Sequence, residues 1–540
     1  MKRILTFLFL FSLVFNCYAQ DAYTKTAAIF DAMEKEMERT MSMSKTEPKI
    51  HFAAFRVGDN TGLSVVAARG GIVQERQSEW AETNVSLRVG NQKEDSSYFE
   101  AAILSQGNLQ EGAISPEGVR AGLWAESDKS YKNALDIYAR KQGYKSKKAQ
   151  EEVYDDFSKI TPKQDVKGYE KTVFPMELFK DIAQKTSAAG ALKELEKFNT
   201  QVTANEEIIY YLSSEGSKYT KRDMFIKITF FAKARTANGF EFDDSKTLTY
   251  AALEDVPQVK ELENIAASFA KQTAAFTKAE KGTPFIGPVW LEGEASAKMF
   301  EKTFIENILN TRKIIVSGFD GSFSYILSNF ALKTGLKVLS VNFDVIDDPL
   351  QDRFNGKKML GAYKIDDEGA KAETIYLVKN GILKDLPKTR SLIKGQTKTN
   401  GHAFVNWGYG LYGKSMVRNL FLLPHTTIPA SEFKQKFMEY CKAEGLEYCY
   451  KITSPKISDA NDILAIKINS STGEETPVYG FKKPELSTRT LRDIKFAADD
   501  LTLYNVGISY VVPSVILSEA ELTPTQKSPS TKIIVSRPNI

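Results

Sequence analysis

Alternating apolar and polar residues run along much of the chain, and this pattern predicts many strands and few helices. The clearest example lies between Thr374 and Lys379, where side chains alternate with the period of two that is typical of a half-buried strand. An acidic turn at 365–369 (IDDEG) precedes this strand, and Asn380-Gly381 follows it as a two-residue hairpin signal. The segment 343–390 is therefore predicted to be a compact β-rich unit.

Helical periodicity is strongest near the N-terminus, where Phe30, Met33, Met37 and Met41 recur on one face. Such a methionine stripe favours a helix packed on a core over a binding surface. A meander is predicted next, with strands at 50–58, 63–69, 72–79 and 82–90 and turns at 59–62 and 70–71. A long helix at 115–145 follows, then a polar loop or lid at 146–172, and then a hairpin with arms at 206–213 and 219–235.

The first residues have the layout of an export signal. Lys2 and Arg3 precede a short apolar run at 4–15, and Ala19 ends an acceptable cleavage site. We predict a signal peptide at 1–19, cleavage after Ala19 and a periplasmic location; lipidation at Cys17 is the less favoured alternative. No later run is long and apolar enough to predict a transmembrane segment in the mature chain.

Composition narrows the class of protein. The chain has 540 residues, 42% of them hydrophobic and 26% charged, enough for a large core and two or more domains. The formal net charge is +4, and removal of Lys2 and Arg3 lowers it to about +2. Since there is no basic block, nucleic acid is not an expected partner.

Several short motifs follow one another in an order that resembles the C-terminal domain of the TldD/PmbA family. They are 347–349 (DDP), Gly361, 365–369 (IDDEG), 379–383 (KNGIL) and 399–402 (TNGH). The resemblance implies an α+β, two-domain fold: an N-terminal domain at 20–256 with a helix and β-meander, and a β-rich, metallopeptidase-like domain at 257–540. It also implies dimers of metallopeptidases or of their non-catalytic partners.

Active members of this family carry His-Glu-x-x-x-His at a helix start, and a cysteine near the C-terminus completes the zinc site. Matching that helix start to this sequence places Gly293 and Lys298 on the two histidine positions and retains only Glu294. The corresponding C-terminal segment, 500–514, contains no cysteine. The resemblance therefore predicts zinc in active relatives but no metal and no other cofactor here, and whether this chain is an enzyme stays open.

Glu294 has two interpretations. It occupies the general-base position of the family and is the one candidate catalytic residue. Alternatively, it is a first-turn acid that is favoured by the helix dipole and paired with Lys298. The three histidines, His51, His402 and His425, are not at ligand spacing in the sequence. We expect the last two to be structural, with a metal site built on them as the weaker alternative.

The remaining cysteines, Cys441 and Cys449, form no C-x-x-C motif. They either pair in an oxidising compartment or stay as two buried thiols. A glycine-rich aromatic loop at 406–413 is either a cleft wall or an ordinary surface loop.

Three functions remain compatible with the sequence. The first is a zinc-less, non-catalytic subunit that helps to enclose a peptide or unfolded protein segment, dimeric and paired with a zinc-bearing relative. The second is a stand-alone peptide- or protein-binding protein, and the third is an active metallopeptidase with rearranged ligands.

Overall fold

The computed structural model describes residues 2–99, 105–112, 114–146, 155–309, 312, 314, 330, 333–393, 395–405, 413–453, 463–482 and 484–526. Side chains are described from residue 21 onward, except at 105–111. Of the predicted signal segment only the backbone of residues 2–19 is described, and most of the predicted 406–413 loop lies outside these limits. Within them, no helix combines the length and the apolar character that a membrane crossing requires.

The N-terminal half is built on one seven-stranded sheet, ordered β3-β2-β1-β5-β6-β4 with β7 also paired to β6. All pairs are antiparallel except β4 with β6. The strands are β1 (Ile50–Ala68), β2 (Gly71–Val89), β3 (Ser105–Glu111), β4 (Gln164–Asp165), β5 (Lys197–Ser213), β6 (Lys218–Arg235) and β7 (Glu241–Tyr250).

Four helices accompany this sheet: α1 (Lys2–Ser42), α2 (Pro116–Lys145), α3 (Met176–Ala189) and α4 (Val259–Ala275). Short 3₁₀ turns lie at Leu253–Asp255 and Phe276–Lys278. Phe30, Met33 and Met37 are buried against apolar side chains of β1, β2 and β5, so the methionine stripe is core, as predicted. Ser115 caps α2 by accepting a hydrogen bond from the backbone N–H of Gly118 at 3.1 Å.

The predicted turn at 59–62 is wrong, because β1 runs through it as one strand of 19 residues. Both edges of this strand are paired, with β2 on one side and β5 on the other. The Asp59 carboxylate contacts Lys25 at 3.1 Å and Lys171 at 2.6 Å. Long-range pairing therefore overrides the local turn preference. The turn near Gly70 is confirmed, with positive φ at Arg69 and Gly70.

Apart from β4, the predicted loop at 146–172 is irregular in its described part, 155–172, but it is fastened to the domain. Phe157 and Asp156 are buried in it. The backbone N–H of Thr172 donates to the Glu206 carboxylate at 2.7 Å. The described part is therefore a strap across the sheet rather than a lid.

Two larger sheets form the C-terminal half. The first is ordered β14-β13-β10-β17-β23-β22, the second β21-β24-β9-β18-β19-β20-β8, and two small ribbons pair β11 with β12 and β15 with β16. The strands are β8 (Glu280–Lys281), β9 (Phe285–Leu291), β10 (Phe343–Asp347), β11 (Arg353–Phe354), β12 (Lys357–Lys358), β13 (Ile375–Lys379), β14 (Ile382–Leu383), β15 (Ala403–Phe404), β16 (Lys414–Ser415), β17 (Asn419–Pro424), β18 (Tyr448–Ile452), β19 (Ile463–Asn469), β20 (Glu475–Phe481), β21 (Ile494–Ala497), β22 (Thr502–Val506), β23 (Ile508–Val512) and β24 (Val515–Leu522).

Helices are fewer in the described part of this half, and the fold is α+β as predicted. The first begins as α5 (Glu294–Phe300), continues through a π turn at Glu301–Ile305 and ends as α6 (Glu306–Ile308). The second, α7 (Ala430–Ala443), is joined to β18 by a disulfide between Cys441 and Cys449. The Asn380-Gly381 hairpin is confirmed, with positive φ at both residues.

A buried charged cluster joins the two halves of the chain. The ring of Phe157 lies between two guanidinium groups, with its centroid 3.9 Å from Arg88 and 3.8 Å from Arg390. Arg390 is fully buried and reaches the Glu215 carboxylate at 2.7 Å. Its guanidinium also donates to the carbonyl oxygen of Ser158 at 2.8 and 2.9 Å. Each charge in this cluster therefore has a partner from the other half or from the strap.

We expect Arg390→Ala to lower the free energy of unfolding by about 3–5 kcal/mol, because it leaves the Glu215 carboxylate without its buried partner. Arg489→Ala is the matched control, since the Arg489 side chain is 82% exposed and lies 3.7 Å from Asp493. The control should lose no more than about 1 kcal/mol. Urea unfolding of both variants measures the difference, and equal midpoints would contradict a supporting role for the cluster.

Candidate functional site

The structure brings together the two segments that the sequence singled out. The start of α5 lies against the segment 500–514, which forms β22, β23 and the turn before β24. The backbone N–H of Gly293 donates to Ser514 Oγ at 3.3 Å, and Ser296 Oγ donates to the carbonyl oxygen of Pro513 at 2.8 Å. Ser514 Oγ in turn donates to the Asp500 carboxylate at 2.6 Å. A chain of hydrogen bonds thus joins the two segments.

Tyr504, on β22, fills the space beside Gly293. A Cβ atom built on Gly293 would lie 2.8 Å from the Tyr504 hydroxyl oxygen, and Gly293 has a φ of +56°. A larger residue at 293 therefore requires both a strained backbone and displacement of the tyrosine. Burial and the nearby Asp500 carboxylate raise the pKa of Tyr504 to about 12, so its hydroxyl is neutral at physiological pH.

Lys298, which the resemblance aligns with the second histidine of the family motif, is held by the turn that follows it. Its Nζ lies 2.8 Å from Glu301 Oε2, in the π turn. Tyr510, on β23, is also hydrogen-bonded to the Glu301 carboxylate, and burial and this carboxylate together raise the pKa of Tyr510. The predicted pairing of Lys298 with Glu294 is wrong, because the ammonium group donates to Glu301 instead.

Glu294 itself is half-buried at the first position of α5. Burial raises the pKa of Glu294, and the positive charges of Lys246 and Lys298 oppose that shift. Lys246 belongs to β7 of the N-terminal sheet, so both halves of the chain contribute charge around this carboxylate. Its catalytic role stays a prediction.

The residues around this helix start do not fit a zinc ion. Zinc in proteins is held by thiolate, imidazole and carboxylate groups. Here the two motif positions offer no donor at Gly293 and a cation at Lys298, and the Asp500 carboxylate accepts hydrogen bonds from the Ser514 side chain and backbone. Over the whole described part of the chain, no three His, Cys, Asp or Glu side chains are grouped in a way that could hold a metal ion.

The histidines are engaged in separate contacts. His402 is fully buried, with Nε2 3.2 Å from Asp347 Oδ2 and Nδ1 2.9 Å from the carbonyl oxygen of Asn400. His425 Nε2 lies 3.0 Å from the carboxylate of Asp344, at the other end of β10. Both rings are thus engaged with carboxylates of β10, as a structural role requires, and the described residues contain no group of three His, Cys, Asp or Glu side chains that could hold a metal ion.

Most of the family-like motifs hold the scaffold rather than a site. Asp347 accepts a hydrogen bond from the backbone N–H of Asn419 at 2.8 Å. Asp366 accepts from the backbone N–H groups of Ala370 and Ala403, at 2.8 and 3.0 Å. Gly361 is required because a Cβ there would lie 2.0 Å from the carbonyl oxygen of Arg418. Each motif thus closes a loop between strands that are distant in sequence.

Sequence reasoning missed the residues that fill this site. It identified the segment 500–514 only by its lack of cysteine, although Tyr504 and Ser514 are the side chains that meet Gly293. The alternation of side chains with period two predicts that β22 is a strand, but it does not indicate that this strand lies next to the start of α5. The effect of Lys246 on the pKa of Glu294 could not be predicted from the sequence, because it depends on how β7 packs near α5.

Comparisons with known proteins agree with this architecture. Residues 287–440 match the family model described as the PmbA/TldA metallopeptidase C-terminal domain. A search of curated protein sequences gave no match.

Three similar solved structures cover 91% of this chain each. The first is a protein from Thermotoga maritima described as a candidate modulator of DNA gyrase, with 16% sequence identity, a TM-score of 0.60 and 100% of that chain covered. The second is TldE from Thermococcus kodakarensis, with 13% identity, a TM-score of 0.59 and 100% of that chain covered. The third is a candidate gyrase modulator from Bacteroides thetaiotaomicron, with 13% identity, a TM-score of 0.56 and 98% of that chain covered. At these identities the likeness establishes the fold.

We expect Glu294→Gln to stabilise the chain at neutral pH rather than weaken it. Because the folded-state pKa of Glu294 is raised above 4.5, the stability that the protonated carboxyl contributes is lost as pH rises through that pKa. The variant has no carboxyl group to deprotonate there. The difference in free energy of unfolding between the variant and the unchanged protein should therefore be absent at low pH and grow as pH rises above about 4.5. Denaturant unfolding across pH 4–8 measures this, and an advantage confined to acid pH would contradict it.

Proposed function

Because residues 287–440 carry a C-terminal domain of the TldD/PmbA metallopeptidase family and the chain has the fold of its solved relatives, we propose that this protein is an exported, non-catalytic subunit of a peptide-processing dimer. It binds an extended peptide or unfolded segment together with a relative that carries zinc. Its own helix start keeps the acid of the family motif but not the metal ligands.

The observation that carries this proposal is the position of Tyr504. If a glycine had only replaced a histidine, the space for a ligand side chain at position 293 would still be open. Instead, the Tyr504 hydroxyl oxygen of the neighbouring strand would lie 2.8 Å from a Cβ atom on residue 293. The second position, Lys298, is tied to Glu301 at 2.8 Å. Both former ligand positions therefore serve packing and ion pairing, which supports a subunit that has no metal chemistry of its own.

The edges of two sheets supply the means of binding. Among the described strands, β22 is the last strand of the first C-terminal sheet, and β7 is paired only with β6 in the N-terminal sheet. Both strands lie close to Glu294. Asn505, on β22, donates to the carbonyl oxygen of Thr249, on β7, at 3.5 Å. Unpaired backbone groups at such edges accept an added strand, a common mode of peptide recognition.

The disulfide supports the exported location. Cys441 and Cys449 are bonded to each other, and such bonds persist in oxidising compartments. Together with the signal-like residues 1–19, this favours a periplasmic protein. The division into domains at residues 256 and 257 also stays part of the proposal.

The stand-alone peptide-binding protein remains the second candidate, since the same strand edges serve it without a partner. An active enzyme with rearranged ligands is disfavoured by the donor set around Glu294. A pairing and cleavage experiment distinguishes these three functions.

We expect the purified chain alone to cleave no unstructured peptide, and a mixture with a zinc-bearing relative from the same organism to form a stable pair that does. Size-exclusion chromatography with a peptide-cleavage assay measures both. The control is the same relative with its own zinc motif disrupted, which should pair normally without any cleavage.

Chelator-sensitive cleavage by the chain alone would support rearranged ligands instead. A monomer that ignores the relative but binds peptide would leave the stand-alone binding protein.

For the exported form we expect N-terminal sequencing of the periplasmic protein to begin at Gln20. In the same preparation, Cys441 and Cys449 should resist alkylation until the protein is reduced. A lipidated start at Cys17, or free thiols before reduction, would contradict the proposed processing and compartment.

A further inference from the structure

Among the described residues, no helix covers one face of the sheet of the N-terminal half. Side chains on this face alternate with those that enter the core, and the strand register sets their rows. Gly62 is opposite Ser78 on β2 and Asn205 on β5, and Asn205 is opposite Phe225 on β6. The face is therefore ordered and rigid, because every strand that forms its middle is paired on both edges.

An open groove of about 1000 Å³ lies on this face. Its lining includes Ser64, Ser78, Trp80, Thr203, Asn205 and Phe225. Gly62 forms its floor, where a Cβ would lie 3.3 Å from the Trp80 ring and 3.2 Å from Ser78 Oγ. Any larger residue at 62 would crowd the tryptophan, so the glycine keeps the groove deep beside that ring.

Two aromatic rings bound the polar floor. Trp80 lies on β2 and Phe225 on β6, and they are separated by β1 and β5. The Trp80 ring extends over Gly62 on β1, so it lies two strand spacings, roughly 10 Å, from the strand that carries Phe225. Lys227 Nζ lies 4.6 Å from the Phe225 ring centroid, a cation–π contact that orients the phenylalanine. The spacing suits a ligand of about three sugar rings, stacked on an aromatic ring at each end.

The chemistry of the floor is uncharged and rich in hydrogen-bonding groups. Its hydroxyl and amide groups come from serine, threonine and asparagine, and the charges of Arg76 and Glu79 at the exposed margin are opposite in sign.

A peptide is a poorer match for this surface than a glycan. Peptides bind sheets through the backbone groups of edge strands. The groove lies over β1 and β5, whose backbone groups are already paired with neighbours on both sides. Only side chains are available here, and hydroxyl and amide groups flanked by aromatic rings match the hydroxyls and apolar ring faces of sugars.

We propose that this groove is a binding site for a neutral oligosaccharide of about three units, with Trp80 and Phe225 as stacking platforms and Asn205, Ser64 and Thr203 as hydrogen-bonding partners. The site is separate from the helix start at Glu294 and does not depend on the function proposed there.

Calorimetric titration of the full mature chain with three neutral trisaccharides tests this: the trimer of N-acetylglucosamine, cellotriose and maltotriose. At least one should bind, and Trp80→Ala and Phe225→Ala should each weaken that binding roughly tenfold. Trp124→Ala is the matched control, because Trp124 is 56% exposed on α2 and away from the groove, and it should bind like the unchanged protein.

Three results would overturn the proposal. The first is no binding of any of the three sugars at millimolar concentration. The second is binding that Trp80→Ala and Phe225→Ala leave unchanged. The third is that these variants alter only self-association or the binding of an unstructured peptide, which would make the face a protein-binding surface.

Discussion

The stacking of Phe157 between Arg88 and Arg390 is the contact on which the relation of the two halves depends. Each guanidinium lies less than 4 Å from the ring centroid, and each is almost fully buried. A desolvated cation–π contact contributes about 2 kcal/mol, but an unpaired buried charge costs more. The acids that pair with these cations, Glu215 and Glu368 among them, are therefore as necessary as the ring.

This cluster also explains why the helix start at Glu294 has a defined environment. Glu368 lies in the acidic turn of the C-terminal half, and its backbone and carboxylate contact Arg390. With the halves fixed to each other, β7 stays close enough for Lys246 to influence the pKa of Glu294. The scaffold is thus formed without a zinc donor set at this helix start, and Tyr504 fills the space next to Gly293.

Local patterns in the sequence predicted the elements that depend on local chemistry. The Asn380-Gly381 hairpin, the methionine face of α1 and the helix after Ser115 are all confirmed. The predicted turn at 59–62 failed because pairing on both strand edges outweighs the turn preference of its residues. Tyr504 and Lys246 escaped prediction because their roles arise from contacts with Gly293 and Glu294, which belong to other elements, and one sequence carries no periodic signal for such contacts.

Metal analysis of the purified pair tests the central claim most directly. Zinc is measured per chain, after dialysis, in the isolated protein and in its complex with a zinc-bearing relative. The account predicts about one zinc per pair and none in this chain alone, because the donor set of a zinc site is missing around Glu294. Two zinc ions per pair, or one per chain in the isolated protein, would contradict it.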